Sequence, residues 1–346
     1  MNPNPWKARY TFGDILGDSE PLRAAIGLAQ HAAAGDYPTV LVGESGTGKE
    51  LLAHAIHNGS ARRERPFVAV NCGTLCGEIA VAELCGYEPR SFTGSDRHAH
   101  VGFLDAARGG TLFLDELQDM PPTPQSVLLR FLETGSFVRV GGTNLIPSDL
   151  RVVAASNVSV DELASRSLIR SDLLYRLNCL VIEIAPLRER RRDVRSIAEK
   201  CLREDLHYLG EVDEGVWQAL ESCPHSWPGN AREVRNVLLK TILYSSKDRL
   251  MPCDLPRELW KSADTTSRAG NGRVATGNGA HVVRTNGAAN NGNGTNGNGV
   301  NGTAEDRDMV ALKAVLQASG QNVSEAARRL GIHRSTIYRR LGTSSK

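Results

Sequence analysis

The chain has 346 residues, 40% hydrophobic and 23% charged, with a formal net charge of +2. That is enough apolar material for at least one sizeable core, while a net charge so near zero singles out no partner. No run approaches the roughly 18 apolar residues of a membrane span, residues 1–10 carry no apolar signal core, and seven cysteines without paired spacing exclude a disulfide framework; Cys72, Cys76 and Cys85 come nearest to a cluster but complete no zinc site. These features predict a cytoplasmic protein with reduced thiols and no membrane partner.

The first strand pattern, Thr39–Val42, runs into Gly43, Glu44, Ser45, Gly46, Thr47, Gly48, Lys49 and Glu50, and a helix-like stretch, Leu51–Ile56, follows. Strand, glycine-rich turn, lysine and helix together hold a polyphosphate. Glycines let several backbone N–H groups converge on one anion, and the helix N-terminus adds a favourable dipole. Lys49 supplies mobile positive charge for β- and γ-phosphates. Alone, the loop also reads as an ordinary glycine turn, and it departs from the strict pattern, which has Ser or Thr where Glu50 stands. Phe67–Val70 is the next strand. The third, Thr111–Leu114, ends in the paired carboxylates of Asp115 and Glu116. Asp115 suits Mg2+, held directly or through water, because no hydroxyl follows Lys49. Glu116 suits a base that orients and polarises an attacking water. The pair alone would be a solvated strand cap; about sixty residues after a phosphate loop, it predicts an ATPase taking ATP and Mg2+.

Further strand patterns at Arg151–Ala154 and Leu180–Ile184 alternate with helix-like stretches. Over residues 10–184 this predicts an α/β domain, a mostly parallel sheet sandwiched by helices. Beyond Pro186 the strand signals vanish, and charged helical patterns predict a small helical subdomain at 185–260. Residues 261–303 are rich in Asn, Gly, Thr and Ala, with almost nothing to bury. They predict a disordered tether with a root-mean-square span of roughly 35–40 Å. Helical patterning returns at 304–346, where Ala326, Ala327, Leu330, Ile332, Ile337 and Leu341 form a compact core across a turn at Gly331, the pattern of an all-α helix-turn-helix. From Gln321 to Lys346 there are six Arg or Lys against one acidic residue, a net of +5. The second helix would carry Arg334, Ser335, Thr336, Tyr338, Arg339 and Arg340 to double-stranded DNA.

The loop Gly43–Glu50, with Val70-Asn71-Cys72, Gly86-Tyr87-Glu88, Phe92-Thr93-Gly94, the strand GGTLFLDE and Trp227-Pro228-Gly229-Asn230-Ala231-Arg232-Glu233-Val234, resembles the AAA+ domain of bacterial enhancer-binding proteins. These are the activators of sigma-54 RNA polymerase. The resemblance covers about Phe12 to Leu259, and the C-terminal segment is similar to that family's Fis-type DNA-binding domain. It implies that residues 185–260 form the AAA+ lid. It also implies that Asn71 restrains the catalytic Glu116 until nucleotide is sensed, and that Asn157, after Ser156, senses the γ-phosphate. Arg232 corresponds to the arginine by which the lid senses nucleotide. Arg170 and Arg176 correspond to fingers given to a neighbour's ATP, an effect worth about 10³–10⁵ in rate. Fingers acting in trans imply a homo-oligomeric ring, in this family a hexamer. Phe92, Thr93 and Gly94 correspond to the loop that touches sigma-54.

The chain departs from the family pattern at Arg90 and Ser95, where Gly and Ala are usual around that loop, and at Ile169 and Ser171, where Phe and Glu are usual beside the first finger. About ten residues precede the ATPase pattern where most relatives carry a sensing domain, so control in trans is expected, through a regulatory partner protein, a co-activator subunit or the chain's own expression level. The leading expectation is a sigma-54-dependent activator that binds an upstream enhancer and uses ATP hydrolysis to remodel the holoenzyme from closed to open promoter complex. The altered loop keeps a second reading open, a DNA-binding regulator whose ATPase sets only its oligomeric state. A general AAA+ remodeller fits the Fis-like terminus and the Phe-Thr-Gly loop poorly.

Overall fold

The computed structural model describes residues 6–77, 79–89, 100–245 and 249–260. The Phe92–Gly94 loop, the tether at 261–303 and the helix-turn-helix at 304–346, with Arg334 to Arg340, lie outside the described residues.

Five strands form one parallel sheet: β1 (Thr39–Val42), β2 (Phe67–Asn71), β3 (Thr111–Asp115), β4 (Arg151–Ser156) and β5 (Leu180–Glu183), in spatial order β2-β3-β4-β1-β5. A parallel strand covered on both faces loses polar alternation, which is why β1 reads as an apolar run and is buried at all four positions. The register sets Asn71 beside Asp115 and Val42 beside Ser156. The strand ends that carry polar residues therefore share the carboxyl edge, where open α/β sheets bind ligands.

Alternate side chains feed two cores. On one face Leu41, Phe113, Val153 and Ala155 pack against Ala25, Ala29 and Ala32 of α1 (Glu20–Ala34) and Leu52, Ala53 and Ile56 of α2 (Lys49–Asn58). Ala29 and Ala32 are completely buried, so the helix lies close to the sheet and a larger residue at either would cost about 1–3 kcal/mol by overpacking. On the other face Leu112, Leu114, Val152 and Ala154 meet Leu128 and Phe131 of α3 (Pro122–Thr134) and Leu173 and Leu177 of α4 (Ser171–Leu177).

The lid has its own core, with Leu220, Trp227, Val234 and Leu238 at the centre. Its helices are α5 (Asp193–Lys200), which continues as a π turn at Cys201–Asp205, α6 (Glu214–Ser222) and α7 (Asn230–Tyr244). Asp213 starts α6 by accepting the N–H of Gly215 at 2.9 Å, a side-chain cap. One expectation is corrected here. The sequence carries no strand signal beyond Pro186, yet Glu211–Val212 pairs in parallel with Arg249–Leu250. Two-residue strands are too short for the period-2 pattern to register.

Candidate functional site

Gly48, at φ 106°, turns the chain out of β1 into α2. Leu52 N–H reaches Gly48 O at 3.0 Å, leaving the N–H groups of Lys49, Glu50 and Leu51 without an acceptor inside the helix. Those groups and the positive end of the helix dipole are what an anion needs. Lys49 Nζ donates to the carbonyls of Gly43 and Glu44 at 2.6 and 3.0 Å, contacts that anionic oxygens can replace.

The loop borders a cleft of about 340 Å³. Ser45, Gly46, Gly48, Lys49 and Glu50 line one side, Asp115, Glu116 and Asn157 a second, and Arg232 a third. Burial lowers the pKa of Lys49, and the carboxylates of Asp115 and Glu116 pull it back up. Asp115 moves the other way: burial raises its pKa, opposed by the Glu116 N–H, which donates to Oδ1 at 3.0 Å, and by Lys49. A carboxylate short of solvent beside one lysine gains from a cation. Glu50 pairs along its own helix with His54, 3.9 Å away, which holds the Glu50 carboxyl below the usual range.

Glu116 sits in the left-handed region at φ 52°, uncommon for a residue other than glycine. Asn71 Nδ2 donates to Glu116 Oε2 at 3.1 Å, while Asn71 Oδ1 accepts the Gly73 N–H at 2.9 Å and fixes the amide. Asn157 N–H reaches Gln118 Oε1 at 3.4 Å.

A second cleft, of about 240 Å³, shares Gly48, Leu51, Cys201, Asp205 and Ala231 with the first. Ile15, Leu16, Ile184 and Ile197 give it apolar walls, the setting for a flat aromatic base. Thr47 lines this cleft and not the first, and its hydroxyl donates to Glu44 O at 2.8 Å. Sequence reading missed these walls. They come from three distant segments, and no motif marks Ile15 or Ile197.

The Glu44 carboxylate meets Arg188 Nη1 at 2.6 Å and Asn230 Nδ2 at 3.3 Å, both from the lid. Arg232 Nη1 donates to Ser45 Oγ at 2.9 Å. Arg170 and Arg176 line neither cleft. Arg170, at the start of α4, lies instead on Asp172, with Nε and Nη2 donating at 3.1 and 2.7 Å.

Residues 15–183 match the family model described as the sigma-54 interaction domain, 188–271 the AAA+ ATPase lid domain, and 303–342 the bacterial regulatory protein, Fis family. The chain is 36% identical over 335 residues to the acetoin dehydrogenase operon transcriptional activator AcoR of Bacillus subtilis, covering 97% of this chain and 51% of that one. It is 34% identical to the alginate biosynthesis transcriptional regulatory protein AlgB of Pseudomonas aeruginosa, over 95% of this chain and 67% of AlgB. Among solved structures it is similar to NtrX from Brucella abortus in complex with ATP, at TM-score 0.62 and 27% identity, over 96% of this chain and 70% of NtrX. It spans about half the length of the first relatives it matches. No helix among the described residues is long and apolar enough to cross a membrane. With the sheet, the lid and these matches in agreement, the chain belongs to the AAA+ sigma-54-dependent transcriptional activators.

Proposed function

We propose that this chain is an ATP-hydrolysing activator that binds upstream DNA, assembles as a ring, in its family a hexamer, and remodels sigma-54 RNA polymerase holoenzyme from the closed to the open promoter complex. The observation that carries the reading is the hydrogen bond from Asn71 to Glu116 at the rim of a cleft that also holds Lys49, Asp115, Asn157 and Arg232. A solved relative, NtrX, was crystallised with ATP, which favours ATP as the ligand.

In this mechanism Lys49 and the first-turn N–H groups of α2 bind the β- and γ-phosphates, and the apolar second cleft takes the base. Among the described residues no group of three or more His, Cys, Asp or Glu side chains could hold a metal by itself. Asp115, half-buried in the cleft beside Lys49, would hold Mg2+, directly or through water. When bound, that ion neutralises charge on the phosphate oxygens. Glu116 orients the water and accepts its proton. Asn71 holds Glu116 aside until Asn157 and Arg232 meet the γ-phosphate. Arg170 and Arg176 complete the neighbouring subunit's pocket. The domains follow the same division: residues 10–184 for the ATPase, 185–260 for the lid, 261–303 for the tether and 304–346 for DNA, with Phe92, Thr93 and Gly94 pressed against sigma-54.

The test is open-complex formation by purified protein with ATP and sigma-54 holoenzyme. Glu116→Gln should bind ATP and hydrolyse it about 10²–10⁴-fold more slowly, the span of a lost general base. Phe92→Ala and Thr93→Ala should abolish opening while hydrolysis continues. Opening that survives both loop changes, or that never occurs, would instead favour a DNA-binding regulator whose ATPase sets only oligomeric state.

A further inference from the structure

Residues that belong to the lid bond to the phosphate loop at Glu44, Ser45, Gly46 and Thr47. Asn230 is completely buried and stands at φ 49°, a conformation that Asn tolerates better than most side chains. Its side chain makes three bonds. Oδ1 accepts the Leu187 N–H at 2.6 Å, and Nδ2 donates to Ser45 O at 3.0 Å and to Glu44 Oε2 at 3.3 Å. The next residue, Ala231, donates its N–H to Gly46 O at 3.1 Å. Arg232, one further on, reaches Ser45 Oγ. Gly46 also has no room for a side chain, since a Cβ there would lie 2.4 Å from Gly229 O. Glycine at this position thus serves the approach of the lid turn as well as the curl around phosphate. Arg190, nearly buried, adds a bond from Nη2 to Thr47 O at 2.9 Å.

We propose that Asn230, with Glu44 as its socket, is a positioning residue that latches the phosphate loop to the start of α7 and so delivers Arg232 to the γ-phosphate. The inference rests on the ATP reading above and adds a division of labour to it. Arg232 touches the nucleotide; Asn230 and Glu44 act only through Arg232 and the loop. The Ser45 contact of Arg232 is then its parking place, one residue from the latch, and the lid need not search for the phosphate after ATP arrives. Arg188 on the far side of Glu44 keeps that carboxylate turned to the lid and away from the anion.

The latch makes ATP and ADP unequal, because only ATP offers the group that Arg232 meets. The experiment measures affinity of the full chain for a non-hydrolysable ATP analogue and for ADP. Asn230→Ala should weaken the ATP analogue roughly tenfold, the loss of bonds to charged and backbone groups, with a smaller change for ADP. Arg232→Ala should give the same pattern. The double variant should be no worse than Arg232→Ala alone, because coupled residues fail additivity. Equal losses for both nucleotides, or losses that add in full, would mark Asn230 as merely structural and overturn the proposal. If Asn230→Ala does not fold, Glu44→Ala decides: its side chain is 37% exposed, so its removal spares the core. A Glu44→Ala chain with unchanged ATP-to-ADP preference overturns the latch; a reduced preference supports it. Failure of the ATP reading itself looks different, since the unaltered chain would then bind neither nucleotide.

Discussion

His57, on α2 one helix length from the phosphate loop, is completely buried, with Nδ1 2.9 Å from the hydroxyl of Thr111 at the start of β3. Burial pushes its pKa down from 6.5 to about 4, against an upward pull from the backbone of Arg65 and Arg63. In the unfolded chain the ring takes its proton near pH 6.5; in the folded chain it resists until about pH 4. Between those values the unfolded state holds more protons, so stability rises with pH across the window and is lost as pH falls through it. The full shift is worth about 3 kcal/mol. His57→Gln should lose the wild-type hydroxyl contact yet melt with a flatter pH dependence over this window. Parallel curves for the two proteins, measured by thermal unfolding, would remove His57 from the account. The same physics at the cleft, where burial lowers Lys49 and raises Asp115, favours an anion on one and a cation on the other.

The start of α4 hangs on a side chain of α3. Gln125 is buried, and its Nε2 donates to Met120 O at 2.8 Å and Leu168 O at 3.0 Å, while Oε1 accepts the Arg170 N–H at 2.9 Å. Ile169, which stands where Phe is usual, is buried in the same core and keeps an apolar anchor beside Arg170. Gln125→Ala leaves one buried and two part-buried backbone groups without their side-chain partner and should cost about 1–3 kcal/mol, visible as a lowered melting temperature, with faster amide exchange at Arg170. An unchanged melting temperature would mean that water replaces all three bonds. Gln125 also marks the limit of what the sequence discloses. The five strands stand out because apolar runs end at turn residues, and β3 carries its carboxylates at the very end. The order β2-β3-β4-β1-β5 does not stand out, because crossover helices leave no trace of which strand they return to. Nor do Gln125 and Asn230, whose hydrogen-bond partners lie 45 and 185 residues away, or Ile15, which shares a cleft wall with Ile197. Glu44 was legible as part of a phosphate loop, yet its carboxylate answers to the lid.

At the scale of the whole molecule, each chain supplies a nearly complete pocket but no arginine from α4. Arg170 and Arg176 stay out of both clefts, and Arg170 is meanwhile occupied by Asp172. On the proposed reading, a transition state that spreads charge over the γ-phosphate oxygens would gain from positive charge beyond Lys49 and Arg232, and a second copy of the chain would supply it. This makes a sharp expectation for mixtures. Lys49→Ala chains should lack nucleotide binding but keep their fingers; Arg170→Ala chains should bind nucleotide but give no finger. Each alone should hydrolyse ATP very slowly. Mixed in equal amounts, an intact pocket meets an intact finger at roughly one interface in four if subunits assort at random, so activity should reappear on mixing. Its recovery should also depend on protein concentration, because on this reading the neighbour's arginine arrives only by association. A mixture no more active than its parts, in rings shown to exchange subunits, would mean that Arg170 serves its own chain and that the hydrolytic unit is not the interface.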